Sequence, residues 1–318
     1  METVTCNLCG SADQRIVYSK PDEHYARDEW FTVVECVNCG LGFLNPRPTA
    51  EEIARYYPVE YYGYDQLQPD FHQRRYELEA EVVSAQMPNG GGRTLLDIGC
   101  ANGNFPRQMQ MLGWEVEGVE VSKNSETIKD FKVYQEQFPN IPINAPRYDA
   151  ITAWSVLEHV YDPLAHFQKV ARILKPNGIF VFVVPNFESL SSRSLFRDDP
   201  PRHLYFFTRS TIRELLSRAD LTLLEIRCDN SIFEMRPVGW LRYYLNRLLR
   251  RELRWQDVPP NRLEYLAGHN LQNNFLSNFR YIITHPLTVL DRLLMPLYER
   301  WQLRSGSYGT LICVATKR

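Results

Sequence analysis

The segment at 94–122 constrains the fold of this chain more than any other: TLLDIGCANGNFPRQMQMLGWEVEGVEVS. Two apolar runs each end in an acid, and small residues stand between them: Asp97, Glu120, Gly99, Ala101 and Gly103. This order predicts a strand, a tight loop, a short helix and a second strand. Small residues let the loop backbone approach a ligand closely, and a helix N-terminus presents amides to it. Glu120 can then accept hydrogen bonds from two ribose hydroxyls, so the segment predicts a nucleoside cofactor.

The spacing of the loop distinguishes two classes of nucleoside site. Nicotinamide dinucleotides are bound by the pattern G-x-G-x-x-G. Here Gly99-x-Ala101-x-Gly103 follows Asp97 by two residues. This resembles the D/E-x-G-x-G-x-G loop of class I S-adenosylmethionine-dependent methyltransferases, with alanine in place of the middle glycine. The resemblance implies that S-adenosylmethionine is the cofactor, with contacts at Asp97, Gly99, Cys100, Ala101, Gly103, Glu120, Trp154 and Ser155. For Trp154, a buried aromatic residue that only packs is the equal alternative.

Two later segments extend this resemblance. Residues 148–186 resemble the fourth strand, its helix, an LKPNG turn and the fifth strand of the family. Residues 201–226 resemble the next segment of ubiquinone-biosynthesis-type O-methyltransferases and their bacterial relatives. The resemblance covers about residues 94–230 and the last strand, TLICVATKR. It implies an α/β fold with a Rossmann-like, mostly parallel seven-stranded sheet, helices on both faces and an antiparallel last strand.

Length and charge limit the classes of partner. A chain of 318 residues, 44% of them hydrophobic, can bury one α/β core and a smaller module. A net charge of −2 gives no overall basic field, so we expect no DNA partner and do not favour RNA. The longest apolar run, IFVFVV, is far shorter than the ~20 residues of a membrane-spanning helix. Without a basic and apolar leader, the sequence predicts a cytoplasmic protein.

Four of the seven cysteines form two matched pairs, Cys6-x-x-Cys9 and Cys36-x-x-Cys39, each followed by glycine. In a cytosolic chain this spacing predicts a zinc site rather than disulfides. Four thiolates complete a tetrahedral shell and leave no open position, so the predicted zinc is structural. Recognition of a substrate or partner by the surface of this zinc ribbon is the alternative role. The other cysteines lie in or beside apolar runs and are expected to be buried.

The N-terminal region also indicates the acceptor. The pattern CxxCG…CxxCGLGFLNPRPT…YY resembles the N-terminal part of methyltransferases encoded with bacterial surface-glycan pathways. That resemblance implies a sugar or glycan acceptor. A tyrosine cluster can line a sugar or nucleoside site, or it can pack between the ribbon and the core. Its members are Tyr56, Tyr57, Tyr61, Tyr62 and Tyr64.

Residues 236–304 interrupt the family pattern before the last strand, and arginines outnumber acids there. Helices are predicted at 240–256 and 286–303. One face of the first helix is apolar and most of its arginines lie on the other; the apolar face consists of Leu241, Tyr244, Leu245, Leu248 and Leu249. Such a helix can lie on an anionic surface, here the inner face of the membrane. A helical lid over the substrate is the alternative, and the two roles are compatible.

These observations divide the chain into five parts. Residues 1–45 are predicted to be the zinc ribbon, and residues 46–93 a linker with leading helices. Residues 94–235 are predicted to be the cofactor-binding core. Residues 236–304 are the basic helical insertion, and residues 305–318 return to the core as its last strand.

Methyl transfer to a hydroxyl needs a group that accepts the hydroxyl proton, and a positioned base contributes about 10²–10⁴-fold in rate. Reacting groups of an open α/β sheet gather beyond the carboxyl ends of the strands, where Glu158, His159 and His203 are expected. His159 is the first candidate base, because the pKa of an unperturbed histidine is ~6.5. A Glu-His pair that only caps a helix is the alternative. His203 is the second candidate, and a hydrogen bond that pins its loop is the alternative there.

A catalytic divalent metal is not predicted. Ubiquinone-type O-methyltransferases carry E-x-x-E-H at this position, with both acids and the histidine near a divalent ion. This chain has Ser155-x-x-Glu158-His159, so the first acid is replaced. The two remaining ligands make a poor site for a hard cation.

The sequence therefore predicts an S-adenosylmethionine-dependent methyltransferase that acts on a hydroxyl of a small-molecule or glycan acceptor, such as a lipid-linked sugar. An RNA methyltransferase that uses the ribbon for recognition is one alternative. A non-catalytic cofactor-binding protein is a second, because Ala101 and Ser155 depart from the family pattern. Further candidate contacts are Arg74 or Arg75 for the methionine carboxylate of the cofactor, and Glu136 or Gln137 for its adenine. For the two arginines, a solvated basic helix face is the favoured alternative.

Overall fold

The computed structural model describes residues 1–22, 28–57, 69–233, 235–258 and 286–317. The strands are β1 Gln14–Pro21, β2 Trp30–Cys36, β3 Gly42–Leu44, β4 Thr94–Ile98, β5 Glu115–Val119, β6 Lys132–Tyr134, β7 Tyr148–Trp154, β8 Leu174–Pro185, β9 Tyr205–Phe206, β10 Thr222–Asp229 and β11 Thr310–Thr316. The helices are α1 Pro69–Gln86, α2 Asn104–Met111, α3 Pro163–Ile173, α4 Leu190–Leu195, α5 Arg209–Arg218, α6 Trp240–Leu248 and α7 Pro286–Ser305. Short 3-10 helices lie at Ile53–Tyr56, Lys123–Thr127, Phe138–Asn140 and Trp255–Asp257.

Seven strands form the main sheet, in the order β10-β11-β8-β7-β4-β5-β6. All pairs of neighbouring strands from β4 to β8 are parallel. Strand β11 is antiparallel to both β8 and β10. Residues 179–184 of β8 are each at most 4% exposed, which explains their continuous apolar run, because parallel sheets are covered on both faces. The predicted Rossmann-like α/β fold is confirmed.

The strand order opens a crevice beyond the carboxyl end of β4. Strand β5, which follows β4 in the chain, lies on one side of it, and β7 lies on the other. Where neighbouring connections diverge in this way, an α/β sheet leaves room for a ligand. The loops after β4, β5 and β7 therefore meet at one edge of the sheet, and they carry most of the candidate residues.

The N-terminal strands build a second sheet, which the core completes. Its order is β1-β2-β3-β9. Strand β9 pairs with β3, so that Gly42 lies opposite Phe206 and Phe43 lies opposite Tyr205. The ribbon is thus hydrogen-bonded to the methyltransferase-like core through a strand that follows His203 closely in the chain.

The first helix of the insertion is shorter than predicted. The prediction placed it at 240–256, but α6 ends at Leu248. Arg250 has a φ of +53°, in the left-handed region. A residue in that conformation ends a right-handed helix, which the apolar periodicity of the sequence did not reveal. Helix α7 covers the whole of the predicted 286–303.

Helices α6 and α7 pack on each other. The Trp240 and Tyr298 rings are stacked, with centroids 4.3 Å apart. The Asp291 carboxylate accepts the backbone N–H groups of Gly239 and Leu241 at 2.8 and 2.9 Å, which caps the start of α6. No helix within the described ranges is long and apolar enough to cross a bilayer.

Candidate active site

The loop after β4 lines the crevice, and its backbone requires small residues. Gly99, Ala101 and Gly103 have φ values of +74°, +48° and +81°. A Cβ atom on Gly99 would lie 2.6 Å from Val156 Cγ2, and one on Gly103 would lie 2.8 Å from Phe131 Cζ. A side chain in the left-handed region costs about 1–2 kcal/mol, so Ala101 is tolerated at a penalty that glycine would avoid. Helix α2 begins directly after this loop. The Asn104 N–H donates to Oδ1 of Asn102 at 3.4 Å and Pro106 has no N–H, so of the first three helical residues only Phe105 can offer its amide to a ligand.

Glu120 follows β5 and is held in place beside this loop. One carboxylate oxygen accepts the N–H of Ala101 at 2.9 Å, and the other accepts the N–H of Ser122 at 2.8 Å. Each oxygen can accept a further hydrogen bond. The residue is partly exposed, so two neighbouring hydroxyls of a ribose can reach both oxygens. The arrangement is compatible with the predicted role of Glu120.

Asp97 is buried near the end of β4. It is 2% exposed and accepts the Thr152 hydroxyl at 2.7 Å. Burial raises the pKa of Asp97 to about 8, against the smaller opposing effect of that hydrogen bond. A cation beside such a carboxyl stabilises the charged form. The predicted cofactor carries a sulfonium and an ammonium group, so we expect its binding to lower this pKa.

The further candidates for cofactor contact divide between the interior and the surface. Arg75 is 19% exposed, and its guanidinium lies 4.6 Å from the ring centroid of Tyr76. Arg74 is 58% exposed and forms surface ion pairs on α1. Glu136 and Gln137 are exposed beyond β6. Of the two arginines, Arg75 is the less exposed, and it already faces the carboxylate of Glu79, which is 3.4 Å away and 1% exposed.

Two more predicted contacts differ in what they offer. Trp154 packs edge-on against Phe105 of α2, with ring centroids 5.2 Å apart. Its indole N–H is buried and has no hydrogen-bond acceptor among the described residues, so it is available to a ligand. Cys100 is 4% exposed, and its Sγ lies 2.5 Å from where a Cβ on Gly118 would stand. The thiol therefore packs against β5, and the Cys100 backbone is what remains for a ligand.

Beyond β7, the structure brings the three predicted catalytic side chains together. Ligand atoms of Glu158, His159 and His203 lie within 4.8 Å of one another, and the imidazole centroids are 4.9 Å apart. Ser155, with a φ of +56°, donates its hydroxyl to one oxygen of Glu158. The other Glu158 oxygen is buried, with no hydrogen-bond partner in the described part of the chain. A buried carboxylate with an open acceptor position can receive a hydrogen bond from a substrate or from a protonated base.

The two histidines differ in charge. Burial, reinforced by the His203 ring, lowers the pKa of His159 to about 3, so His159 is neutral near pH 7. Its Nδ1 lies 3.0 Å from the Arg202 carbonyl oxygen. We therefore assign the proton to Nδ1, which leaves Nε2 as an acceptor. Burial also opposes charge on His203, but the carboxylates of Asp198 and Glu158 outweigh burial and raise the pKa of His203. His203 is thus the better proton acceptor near neutral pH.

The same three side chains form a donor set that the sequence reasoning missed. That reasoning counted Glu158 and His159, and the structure adds His203 from a distant loop. Two imidazoles and one carboxylate suit zinc, iron or manganese better than magnesium. The sequence could not show this set, because His203 reaches the other two residues only through the path of the loop before β9, and no local motif encodes that path.

The ribbon holds this loop. Alternate residues share one face of a strand, and Tyr18 and Lys20 of β1 both reach Asp198. The Tyr18 hydroxyl donates to its carboxylate at 3.2 Å, and the Lys20 ammonium donates to its backbone carbonyl at 3.1 Å. Asp22, directly after β1, forms an ion pair with Arg202 at 2.8 Å in which both side chains are 0% exposed. Sequence reasoning missed all five of these residues, because their partners lie far away in the chain.

The tyrosine cluster has two different roles. Tyr56 is 0% exposed and packs edge-on against Phe31 of β2, with centroids 5.6 Å apart, which is the packing alternative. The Tyr57 hydroxyl lies 3.1 Å from Nδ1 of His159, so Tyr57 borders the cluster of Glu158, His159 and His203. The remaining members lie outside the described residues: Tyr61, Tyr62 and Tyr64.

The four predicted zinc ligands converge in the ribbon. The sulfurs of Cys6 and Cys39 are 3.4 Å apart, those of Cys9 and Cys36 are 3.5 Å apart, and all four lie within 4.8 Å of one another. Each pair forms the same turn: the N–H groups of Gly10 and Gly40 donate to the carbonyls of Cys6 and Cys36 at 2.8 and 3.0 Å. Both glycines have a φ of +77°. Two equivalent turns aim four sulfurs at one point, and this set fits a tetrahedral zinc ion.

Known proteins resemble the part of the chain that carries the crevice. A family model described as a methyltransferase domain matches residues 71–226. A ubiquinone biosynthesis O-methyltransferase of Alkalilimnicola ehrlichii is 31% identical over 119 residues, which cover 34% of this chain and 48% of that protein. The enzyme of the same name from Cereibacter sphaeroides is 34% identical over 110 residues, which cover 31% and 43%. The chain thus spans less than half the length of these relatives, at 48% and 43%.

Solved structures share the fold at low sequence identity. The cyclase SpnF has a TM-score of 0.53 and 18% identity, with 86% of this chain and 98% of that chain covered. A chain in the complex between the Haloferax volcanii Trm112 methyltransferase activator and a methyltransferase has a TM-score of 0.51 and 17% identity, with 81% and 94% covered. One of these two is named a cyclase, so the fold alone does not establish methyl transfer.

Proposed function

We propose that residues 71–226, which match a methyltransferase domain model, form a class I S-adenosylmethionine-dependent methyltransferase core, and that the chain transfers a methyl group from S-adenosylmethionine to a hydroxyl of a small-molecule or glycan acceptor. The observation that carries this proposal is the cluster of Glu158, His159 and His203. Val156 lies between β7 and that cluster in the chain. Its side chain is next to Gly99 in the loop after β4, where we propose that the cofactor binds. The cofactor supplies a methyl group activated on a positive sulfur. The chain must hold the reactants in line and receive the hydroxyl proton.

The two histidines divide these tasks. His203 receives the proton of the acceptor hydroxyl, and the carboxylates of Glu158 and Asp198 stabilise the imidazolium that results. Nε2 of the neutral His159 accepts a hydrogen bond from a second hydroxyl and orients the acceptor. The hydroxyl proton therefore stays on the His203 imidazole beside two carboxylates, and no strong base from solvent is needed to remove it. This division reverses the order of the two candidates from the sequence, since burial makes His159 the weaker base.

We propose that the acceptor is a sugar, either nucleotide-linked or lipid-linked. The N-terminal resemblance to methyltransferases of surface-glycan pathways supports this choice. Two neighbouring histidine acceptors also suit a pair of adjacent hydroxyls, which sugars present, and the Tyr57 hydroxyl lies at the same place. A lipid-linked sugar is presented at a membrane surface, and we propose that the insertion between β10 and β11 brings the chain to the inner face of that membrane.

Transfer of a labelled methyl group to a panel of acceptors tests this choice. The panel contains nucleotide sugars, lipid-linked saccharides, catechols and RNA. A methylated sugar is the expected product. Methylation of catechol or RNA alone would replace the sugar with that acceptor, and cofactor binding without transfer to any of them would indicate a non-catalytic protein.

Titration calorimetry with S-adenosylmethionine is expected to show one binding site per chain. Glu120→Ala should weaken binding about tenfold or more, because charged acceptors of two hydrogen bonds are lost. Glu115→Ala, at the exposed start of β5, the strand that Glu120 follows, is the matched control and should bind like the wild type. Failure of the wild-type protein to bind would remove the proposed function. Equal affinity in the Glu120 variant would remove only the ribose-binding role.

We also propose that Cys6, Cys9, Cys36 and Cys39 hold one structural Zn²⁺. Four sulfur ligands leave no open coordination position for a substrate, so the metal would stabilise the ribbon instead of taking part in the reaction. Through β1 and β3, the ribbon in turn supports the loop that carries His203.

The purified protein is accordingly expected to contain one zinc ion per chain by atomic absorption. Cys9→Ser combined with Cys36→Ser should abolish zinc binding and lower Tm by several degrees, because structural zinc contributes directly to folding free energy. Cys228→Ser is the matched control, since Cys228 lies outside the cluster and contacts the Gly306 carbonyl at 2.9 Å. Full zinc content in the double variant would contradict the proposed site.

A further inference from the structure

Helix α7 exposes a stripe of apolar side chains on the side away from the protein. The residues that it turns inward are each at most 7% exposed: Thr288, Asp291, Met295, Tyr298 and Gln302. The outer face consists of Leu290, Leu293, Leu297 and Trp301, which are 46%, 71%, 64% and 56% exposed. Spacings of three and four residues place these side chains on one stripe. A helix that borders water normally has the reverse distribution, so the stripe indicates an apolar partner.

Helix α6 and the residue after it add a second stripe. It consists of Tyr244, Leu245, Leu248 and Leu249, which are 36%, 43%, 79% and 52% exposed. The two helices form one body, because Trp240 stacks on Tyr298 and the Tyr244 and Tyr298 hydroxyls are 3.3 Å apart. We call the two stripes together the leucine surface. Of the eighteen large hydrophobic residues that are exposed in the described chain, ten lie within 244–249 and 287–303. Single exposed leucines are common on proteins, but this concentration is not.

The charges around the leucine surface are mainly positive. Arginines follow the stripe of α6 and flank that of α7: Arg247, Arg250, Arg251, Arg254, Arg292, Arg300 and Arg304. Of the four acids at 236–258 and 286–304, Glu252 is exposed among the arginines, and the other three are engaged by other groups. Asp291 is 1% exposed and caps α6, Asp257 accepts the N–H of Arg254 at 3.0 Å, and Glu299 pairs with Arg236 at 3.4 Å. The insertion is thus basic although the whole chain has a net charge of −2, and it is complementary to anionic headgroups.

We propose that α6 and α7 dock this protein on an anionic phospholipid membrane, with the leucine surface among the acyl chains and the arginines at the headgroups. A leucine- and tryptophan-bearing face beside arginines is the composition of helices that lie in the membrane interface. A lid closed over the crevice would turn its apolar face toward the core, whereas the leucine surface faces outward. Only the purpose of this docking rests on the proposed function: it would bring the crevice to a lipid-linked acceptor.

Vesicle flotation tests the docking directly. We expect the wild-type protein to float with vesicles of phosphatidylcholine that contain about 30% phosphatidylglycerol, and to bind pure phosphatidylcholine about tenfold less well. Leu293→Glu combined with Leu297→Glu should reduce binding to the anionic vesicles about tenfold or more. The matched control is Ile16→Glu combined with Leu224→Glu, which changes two residues that are 73% and 54% exposed elsewhere in the fold. It should bind like the wild type.

Three results would overturn the proposal. The first is equal flotation of the Leu293/Leu297 variant and the wild type. The second is a wild-type dimer that this variant abolishes, without flotation of either, which would make the leucine surface a contact between two copies. The third is salt-sensitive RNA binding without flotation. Circular dichroism checks that the variants are folded. Flotation needs neither cofactor nor acceptor, so its failure would leave the methyltransferase proposal standing, and failure of cofactor binding would leave docking standing.

Discussion

Replacing Arg202 with methionine is expected to lower the free energy of unfolding by about 3–5 kcal/mol, measured by urea denaturation. Arg202 and Asp22 are both 0% exposed, and the guanidinium also contacts Asp199 and donates to the Tyr56 carbonyl at 3.0 Å. Burial opposes charge on Arg202, but the two carboxylates outweigh burial and raise its pKa, so the pair is ionic. Methionine would set an apolar side chain against the buried Asp22 carboxylate. The energetic cost of that uncompensated charge is the main part of the expected loss.

A double-mutant cycle separates the ion pair from packing. Asp22→Asn removes the opposite charge with little change of shape, so the double variant should be less destabilised than the sum of the two single variants, by about 1 kcal/mol or more. Arg218→Met is the matched control, because Arg218 and Glu214 are 43% and 48% exposed and their surface pair is expected to contribute little. Additive effects of the two buried substitutions would show that the Asp22–Arg202 pair is not coupled.

This ion pair also connects the ribbon to the reaction. The carbonyl oxygen of Arg202 accepts a hydrogen bond from Nδ1–H of His159, and the next residue is His203. A shift of the ribbon would therefore displace both histidines, although no cysteine is near them in the chain. The proposed mechanism therefore assigns the ribbon a positioning role that an independent zinc module would lack. It also predicts that loss of zinc reduces turnover more than it reduces cofactor affinity.

The parts that could be predicted from the sequence are those whose interactions are local. The cofactor loop, its two strands and Glu120 all fall within 94–122, and their periodicity and small residues carry the information. The two cysteine pairs are also local motifs, each completed by its own glycine turn. Parallel strands buried on both faces produce continuous apolar runs, so the sheet was predictable as well.

The parts that could not be predicted depend on partners distant in the chain. Asp22 and Arg202 are 180 residues apart, and neither lies in a recognisable motif. The difference in pKa between the two candidate bases was also out of reach, because it depends on burial and on Asp198, which the fold brings to His203. The end of α6 depends on the left-handed backbone at Arg250, which an arginine rarely adopts.

Replacing His203 with alanine is expected to reduce turnover by about 10²–10⁴-fold while S-adenosylmethionine affinity changes little. Of the two histidines, His203 is the one whose pKa is raised, because it lies close to the carboxylates of Asp198 and Glu158. His203→Gln keeps a polar side chain of similar size without a basic nitrogen, so it should not restore the rate. Single-turnover kinetics at saturating cofactor, together with titration calorimetry, separate the two effects.

The pH profile identifies which histidine receives the proton. A protonated imidazole cannot accept the hydroxyl proton, so kcat/KM of the wild type should rise with pH through the pKa of His203, at a midpoint above the ordinary histidine value of ~6.5. Glu158→Gln removes one of the carboxylates that raise this pKa, and the midpoint should move to lower pH. His159 has a pKa of about 3, so its ionisation lies outside this range and His159→Ala should keep a midpoint near neutrality. If the midpoint disappears in His159→Ala and persists in His203→Ala, His159 is the base, and the tautomer fixed by the Arg202 carbonyl becomes the feature that activates it.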